Sequence, residues 1–283
     1  MGIINRIGVI GAGTMGSGIA QACAVSGIPA VMIDVSDDAT GRGTKTIALS
    51  LDRLVKKEKL TAEARDAALA NVSGSTDYAA LVTADLVVEA ATENLELKLK
   101  VLRQIAGIVA QNILIASNTS SISITALAAV VSNPARFLGM HFFNPVPMMA
   151  LVELIRGLET DETTLESAKS FVEKLGKTPV MVRNSPGFVV NRLLCPMLNE
   201  AVFALQEGIA SAEDIDNAMK LGCNHPIGPL ALADMIGLDV LLAVMNVFYD
   251  DFNDPKYRPA PLLKEMVAAG RLGRKSGRGF YAY

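Results

Sequence analysis

Gly11-Ala12-Gly13-Thr14-Met15-Gly16 follows a short apolar run, Arg6 to Ile10, and opens a helical pattern, Thr14 to Ser26, that Gly27 closes. Strand, glycine turn and helix in that order form a nucleotide-binding unit. Gly11 permits the tight turn, Gly13 lets the backbone approach a pyrophosphate, and Gly16 lets helix and strand pack closely. The helix start then offers free N–H groups and a positive dipole end to phosphate. Ala12, Thr14 and Met15 belong to the same phosphate-facing turn.

The next strand, Ala30 to Val35, carries Asp34, which lies 18 residues after Gly16. A carboxylate there accepts hydrogen bonds from both adenosine ribose hydroxyls and repels the 2′-phosphate of NADP. The fingerprint by itself leaves NAD and FAD both open. Further along, Asp38 to about Lys59 reads as a helix, Leu86 to Ala90 as a strand, Leu95 to Ala110 as a helix and Ile113 to Ser117 as a strand. This alternation predicts an α/β, doubly wound, Rossmann-type sheet covered on both faces. Ser185-Pro186-Gly187 changes the pattern, because Ser caps a helix and Pro suits its first turn. Beyond it the periodicity is helical, with segments at Gly187 to Glu207, Ser211 to Leu221, Pro229 to Tyr249 and Pro261 to Ala269. The expected division is a nucleotide-binding domain over residues 1–184 and an all-α domain over 185–283. The basic, glycine-rich tail from Gly273 reads as an ordered loop reaching back to something polar.

Composition narrows the function classes. The 283 residues carry 26 Lys+Arg against 29 Asp+Glu, a balance that argues against a nucleic-acid binder. The most apolar stretch, Pro229 to Phe248, is interrupted by Asp234 and Asp239, so a buried helix is expected there and no membrane span. The high apolar fraction, 51%, suits a subunit interface. Met1-Gly2-Ile3-Ile4-Asn5-Arg6 enters a strand directly, without a leader pattern, and Arg6 stands where a myristoylation signal wants Ser or Thr. Cys23, Cys195 and Cys223 form no metal or disulfide pattern, which fits a reducing cytoplasm, and no metal is expected.

For the chemistry there are two histidines, His141 and His225. Oxidation of a hydroxyl to a carbonyl needs a base for the hydroxyl proton as hydride leaves, and imidazole titrates in the right range. Glu153 singles out His141. It stands in Leu151-Val-Glu-Leu-Ile, where a charge in an apolar strand requires a partner. Two adjacent strands joined by the Asn144-Pro145-Val146-Pro147 turn would bring it to the imidazole. Ser117-Asn-Thr-Ser120-Ser121 follows a strand end, where open α/β sheets bind ligands. Asn191 lies between Val190 and Leu193 and could line a cleft. Glu93 and Lys98 flank the next helix start, and either could be a solvated charge, Lys98 the more so. Ser50, Arg53 and Lys57 share a helix face by three- and four-residue steps.

Taken in order, Gly-Ala-Gly-Thr-Met-Gly-Ser-Gly-Ile-Ala, Val-Glu-Ala-Ala-Thr-Glu-Asn, Ser-Asn-Thr-Ser-Ser, His-Phe-Phe-Asn-Pro-Val-Pro-Met-Met, Leu-Val-Glu and Gly-Phe-Val-Val-Asn-Arg resemble the 3-hydroxyacyl-CoA dehydrogenases. The bacterial 3-hydroxybutyryl-CoA type is the nearest likeness. The resemblance implies an NAD-dependent oxidoreductase that interconverts (S)-3-hydroxyacyl-CoA and 3-oxoacyl-CoA in fatty-acid or butanoate metabolism. It implies His141 as general acid/base with Glu153 as its partner, and Ser120 and Asn191 positioning the 3-oxygen and the imidazole. It implies Asn144, Glu93, Lys98 and Lys275 near the cofactor, Ser120 touching cofactor and substrate, and Ser50 and Lys57 on coenzyme A. A cytoplasmic homodimer through the C-terminal domain is the expected assembly. Two other readings stay open from the residues. One is the 3-hydroxyacid dehydrogenases with a lysine acid/base, against which the His-Phe-Phe-Asn-Pro run speaks. The other is a non-enzymatic NAD-binding scaffold, which would have lost the His–Glu pair.

Overall fold

A computed structural model describes residues 4–283. The lead-in at residues 1–3 lies outside the described residues. The chain divides into two compact units between Ser185 and Pro186.

The first unit runs β1 (Ile7–Ile10), α1 (Thr14–Val25), β2 (Ala30–Ile33), α2 (Asp37–Lys56), α3 (Ala62–Ala70), β3 (Val72–Ser75), β4 (Leu86–Glu89), α4 (Leu95–Ala106), β5 (Leu114–Ser117), α5 (Ile124–Ala128), β6 (Phe137–Phe142), β7 (Leu151–Arg156), α6 (Glu162–Lys174) and β8 (Thr178–Arg183). One eight-stranded sheet has the order β3-β2-β1-β4-β5-β6-β7-β8. Its strands pair in parallel except for the antiparallel β6–β7 pair. β1, β2, β4 and β5 are buried along their whole length. Apolar runs covered on both faces explain why these strands show no alternation. The order reverses between β1 and β4, which places the ligand crevice at their C-terminal ends.

β3, Val-Ser-Gly-Ser, and α3 are among the elements the sequence pattern does not announce, as are α5, α6 and β8. β3 is an edge strand with little apolar content, and only Ala68 of α3 is fully buried. Tertiary pairing, not local propensity, makes the strand.

The second unit contains α7 (Val190–Gln206), α8 (Ala212–Gly222), α9 (Pro229–Ile236), α10 (Leu238–Phe252) and α11 (Pro261–Ala268) around their own core, which includes Leu198, Val202, Leu230, Leu241, Met245 and Phe248. The single helix expected over Pro229 to Tyr249 is corrected here. Gly237 adopts φ +106°, a backbone closed to other residues, and the chain bends by 96° between α9 and α10. Among the described residues no single helix is long and apolar enough to cross a membrane.

The polar group that receives the tail is Asp234, which is 1% exposed. Its carboxylate accepts hydrogen bonds from Phe280 N (3.0 Å), Tyr281 N (3.0 Å) and Tyr283 Oη (3.1 Å). A second buried carboxylate, Asp216, accepts from Leu230 N and Ala231 N at the start of α9 and from Tyr281 Oη. Burial and the hydrogen bond to Asp216 push the Tyr281 phenol well above its ordinary value.

Candidate active site

The glycine turn sits where β1 meets β4. Gly11 has φ +96°, and a Cβ there would lie 2.7 Å from Ala91 Cα. A Cβ on Gly16 would lie 1.8 Å from the Gly11 carbonyl oxygen. By contrast, nothing lies within 4 Å of a Cβ on Gly13, so that backbone faces open space. The α1 N-terminus carries no side-chain cap and no acidic residue in its first turn. An uncapped, positively polarised helix start beside an open backbone fits a pyrophosphate. Thr14 is exposed and Met15 half-buried at this mouth.

Asp34 follows β2. Its Oδ2 accepts from Ala12 N at 2.7 Å and its Oδ1 from Val35 N at 2.7 Å. The carboxylate is thereby fixed against the glycine turn with lone pairs to spare for ribose hydroxyls. The half-buried Tyr78 phenol is pushed up by burial and by the negative charges of Asp34 and Glu89.

Beyond the switch point, Glu93 organises the Ser-Asn-Thr-Ser-Ser loop. Its Oε1 accepts from Thr119 Oγ1 (2.8 Å), Ser120 N (2.7 Å) and Ser120 Oγ (2.8 Å). Asn118 Oδ1 accepts from Phe142 N at 2.8 Å and so ties the loop to the end of β6. Lys98 differs from the solvated charge that the sequence allows. It is fully buried, on the stripe Lys98, Val101, Leu102 and Ile105 that α4 turns inward, and it pairs with Glu89.

His141 and Glu153 are partners in register across β6 and β7. His141 Nδ1 lies 2.7 Å from Glu153 Oε2, with His141 6% and Glu153 0% exposed. A buried carboxylate at Nδ1 favours the tautomer with the proton on Nδ1, leaving Nε2 as the nitrogen that takes or returns a proton. The Phe143 ring stands 4.4 Å from the imidazole, centre to centre. His225 has no ion-pair partner among the described residues.

Asn144 is exposed on the β6–β7 connection. That loop is held from below by Lys177, whose Nζ donates to Val146 O (2.7 Å) and Met149 O (2.6 Å). Partial burial pulls the Lys177 ammonium below its ordinary value. Ser50 is half-buried on α2, and Lys57 is the exposed residue that caps it. Asn191 is half-buried in the first turn of α7, and Lys275 donates to Asp239 Oδ2 at 2.7 Å within the second unit. This hydrogen bond holds the Asp239 carboxyl below its ordinary value.

Glu89, Asn118 and Lys177 are the ordering residues that the sequence reading passes over. The signal for Glu89 is the one that exposes Glu153, a carboxylate in an apolar strand, here Leu86-Val-Val-Glu.

The family model for the 3-hydroxyacyl-CoA dehydrogenase NAD binding domain matches residues 6–185, and that for the C-terminal domain of the same family matches residues 187–283. A 3-hydroxybutyryl-CoA dehydrogenase of Bradyrhizobium diazoefficiens is 50% identical over 99% of this chain and 96% of its own. A probable 3-hydroxybutyryl-CoA dehydrogenase of Deinococcus radiodurans is 52% identical over 98% of this chain and 100% of its own. The crystal structure of (S)-3-hydroxybutyryl-CoA dehydrogenase from Ralstonia eutropha superposes with a TM-score of 0.98 at 65% identity, covering 99% of each chain.

Proposed function

The chain belongs to the 3-hydroxyacyl-CoA dehydrogenase family, and from that premise we propose that it interconverts (S)-3-hydroxybutyryl-CoA and acetoacetyl-CoA, with His141 as general acid/base. The observation that carries the reading is the buried, in-register His141–Glu153 pair on a sheet whose glycine turn and Asp34 fit NAD.

NAD, when bound, supplies the acceptor for the C3 hydride. The chain's residues do the rest. The α1 N-terminus binds pyrophosphate and Asp34 binds the adenosine ribose. In oxidation His141 Nε2 takes the hydroxyl proton, and Glu153 stabilises the imidazolium as it forms. In reduction the imidazolium returns that proton to the oxygen. Ser120, its hydroxyl held by Glu93 Oε1, positions the 3-oxygen, and Asn191 serves the substrate. Asn144 and Glu93 hold the nicotinamide end, the fully buried Lys98 supports Glu93 from beneath, and Ser50 and Lys57 hold coenzyme A. The first unit is the NAD-binding domain, and the second serves substrate and dimerisation.

The assembly is a cytoplasmic homodimer through residues 185–283. Its support is the exposed apolar set Leu193 (69%), Ile209 (70%) and Leu221 (87%) on the second unit. A monomer mass in sedimentation at micromolar protein would contradict the dimer. The function itself is tested by mixing acetoacetyl-CoA, NADH and catalytic enzyme and following absorbance at 340 nm. Steady loss of absorbance is expected, greatest for the C4 thioester in a C4 to C16 series. No oxidation of NADH with any member would refute the activity.

A further inference from the structure

Glu89 ends β4 at the crevice, with Ile10 of β1 opposite on one side and Ser117 of β5 on the other. It is 0% exposed. Its Oε1 accepts from Ala91 N at 2.9 Å, and Ala91 is the residue against which Gly11 packs. Its Oε2 accepts from Ser117 Oγ at 2.7 Å, at the root of the Ser-Asn-Thr-Ser-Ser loop. The same oxygen pairs with the equally buried Lys98 ammonium. Lys98 Nζ in turn lies 3.9 Å from Glu93 Oε2, while the other oxygen of Glu93 holds Ser120. One carboxylate thus joins the glycine turn, the serine loop and the start of α4.

A fully buried ion pair rarely stabilises a fold, and an apolar pair of similar volume is often as good or better. Its retention under a ligand crevice calls for a reason in the site. We infer that Glu89 is a positioning residue of the nicotinamide end, holding the Lys98 ammonium under Glu93 so that Glu93 keeps Ser120 in place. Without the Glu89 charge, the ammonium has, among the described residues, only Glu93 to pair with, and drawing Glu93 toward it loosens Ser120. The inference rests on reading Glu93 and Ser120 as part of the site.

The test is a cycle of Glu89→Gln, Lys98→Met and the double variant, with melting temperature and steady-state kinetics for NADH at saturating acetoacetyl-CoA. Glu89→Gln is expected to raise KM for NADH roughly tenfold, more than it lowers kcat. The double variant is expected to match Lys98→Met in kinetics while melting no lower than Glu89→Gln. A folded Glu89→Gln enzyme with wild-type KM, or multiplicative losses in the double variant, would overturn the inference. If Glu89→Gln does not fold, the comparison of the double variant with Lys98→Met decides in the same way. Glu93→Gln separates the two levels. If it leaves KM for NADH unchanged, the reading of the site fails; if it raises KM while Glu89→Gln does not, only the role of Glu89 fails.

Discussion

His141 Nδ1 lies 2.7 Å from Glu153 Oε2, and the two residues stand opposite each other on antiparallel β6 and β7. Facing positions on paired strands leave little freedom for either side chain to drift. Burial of both removes the water that would otherwise screen the pair. The carboxylate therefore fixes the imidazole ring and its tautomer, which is the preorganisation that the proposed general acid/base role requires.

Cofactor choice is predicted to depend on Asp34. Its carboxylate is fixed on Ala12 N and Val35 N, and on the proposed ribose contact its charge would repel a 2′-phosphate. Asp34→Ala is expected to weaken NADH binding and narrow the preference over NADPH, read as the ratio of kcat/KM values. A wild-type enzyme that uses both cofactors equally would contradict this.

The coenzyme A handle is predicted at the end of α2. Arg53, Lys56, Lys57 and Lys59 form no ion pair among the described residues, although cations at a helix C-terminus also offset the helix dipole. Lys57→Ala is expected to raise KM for acetoacetyl-CoA more than it lowers kcat, and to leave a truncated thioester without the nucleotide unaffected. Equal damage on both substrates would mean that Lys57 supports the fold instead.

Asp234 anchors the C-terminal tail. Asn in its place offers an amide N–H₂ where backbone N–H groups point in, leaving buried donors without acceptors. Asp234→Asn is predicted to cost roughly 2–4 kcal/mol of stability. Proteolysis should then release the tail beyond Gly273 first. An unchanged melting temperature and an uncut tail would show that the carboxylate is dispensable.

The thiols give a prediction in alkaline solution. Burial pushes the Cys195 thiol up to about 12, and Cys23 higher still, while Cys223 is exposed. In the unfolded chain both buried thiols ionise near the ordinary value, so above about pH 9 the unfolded state binds fewer protons and stability falls with rising pH. The slope is at most about 1.4 kcal/mol per pH unit for each thiol. The denaturant midpoint should fall between pH 8.5 and 10.5, and less so in a Cys23→Ala/Cys195→Ala variant. At pH 8 a thiol reagent should titrate only Cys223 in the native enzyme; rapid reaction of Cys195 would contradict its burial.

Legibility in the sequence followed the strength of local physical constraints. The glycine turn and Asp34 were readable because a phosphate-binding turn demands particular residues at particular spacings. The His141–Glu153 pair was readable because a carboxylate inside an apolar strand has to be paired. The same rule applied to Leu86-Val-Val-Glu89 would have found the second buried carboxylate. The burial of Lys98 is hidden, since its residue type also allows a solvated charge and its place on the inward stripe of α4 shows only when the stripe is counted from Val101, Leu102 and Ile105. The bend at Gly237 was hidden because a glycine within an apolar run reads as a tolerated helix residue. β3 was hidden because its pairing with β2 is decided by the sheet and not by its own four residues.

The most direct test of the account is a double-mutant cycle on kcat with acetoacetyl-CoA and NADH at 340 nm. His141→Ala should keep NADH binding and lower kcat roughly a hundred- to ten-thousandfold. Glu153→Gln should cost much of the same, and the double variant should lose far less than the product of the two. Multiplicative losses would separate Glu153 from the proton transfer, and a His141→Ala enzyme that still turns over at the wild-type rate would contradict His141 as the acid/base.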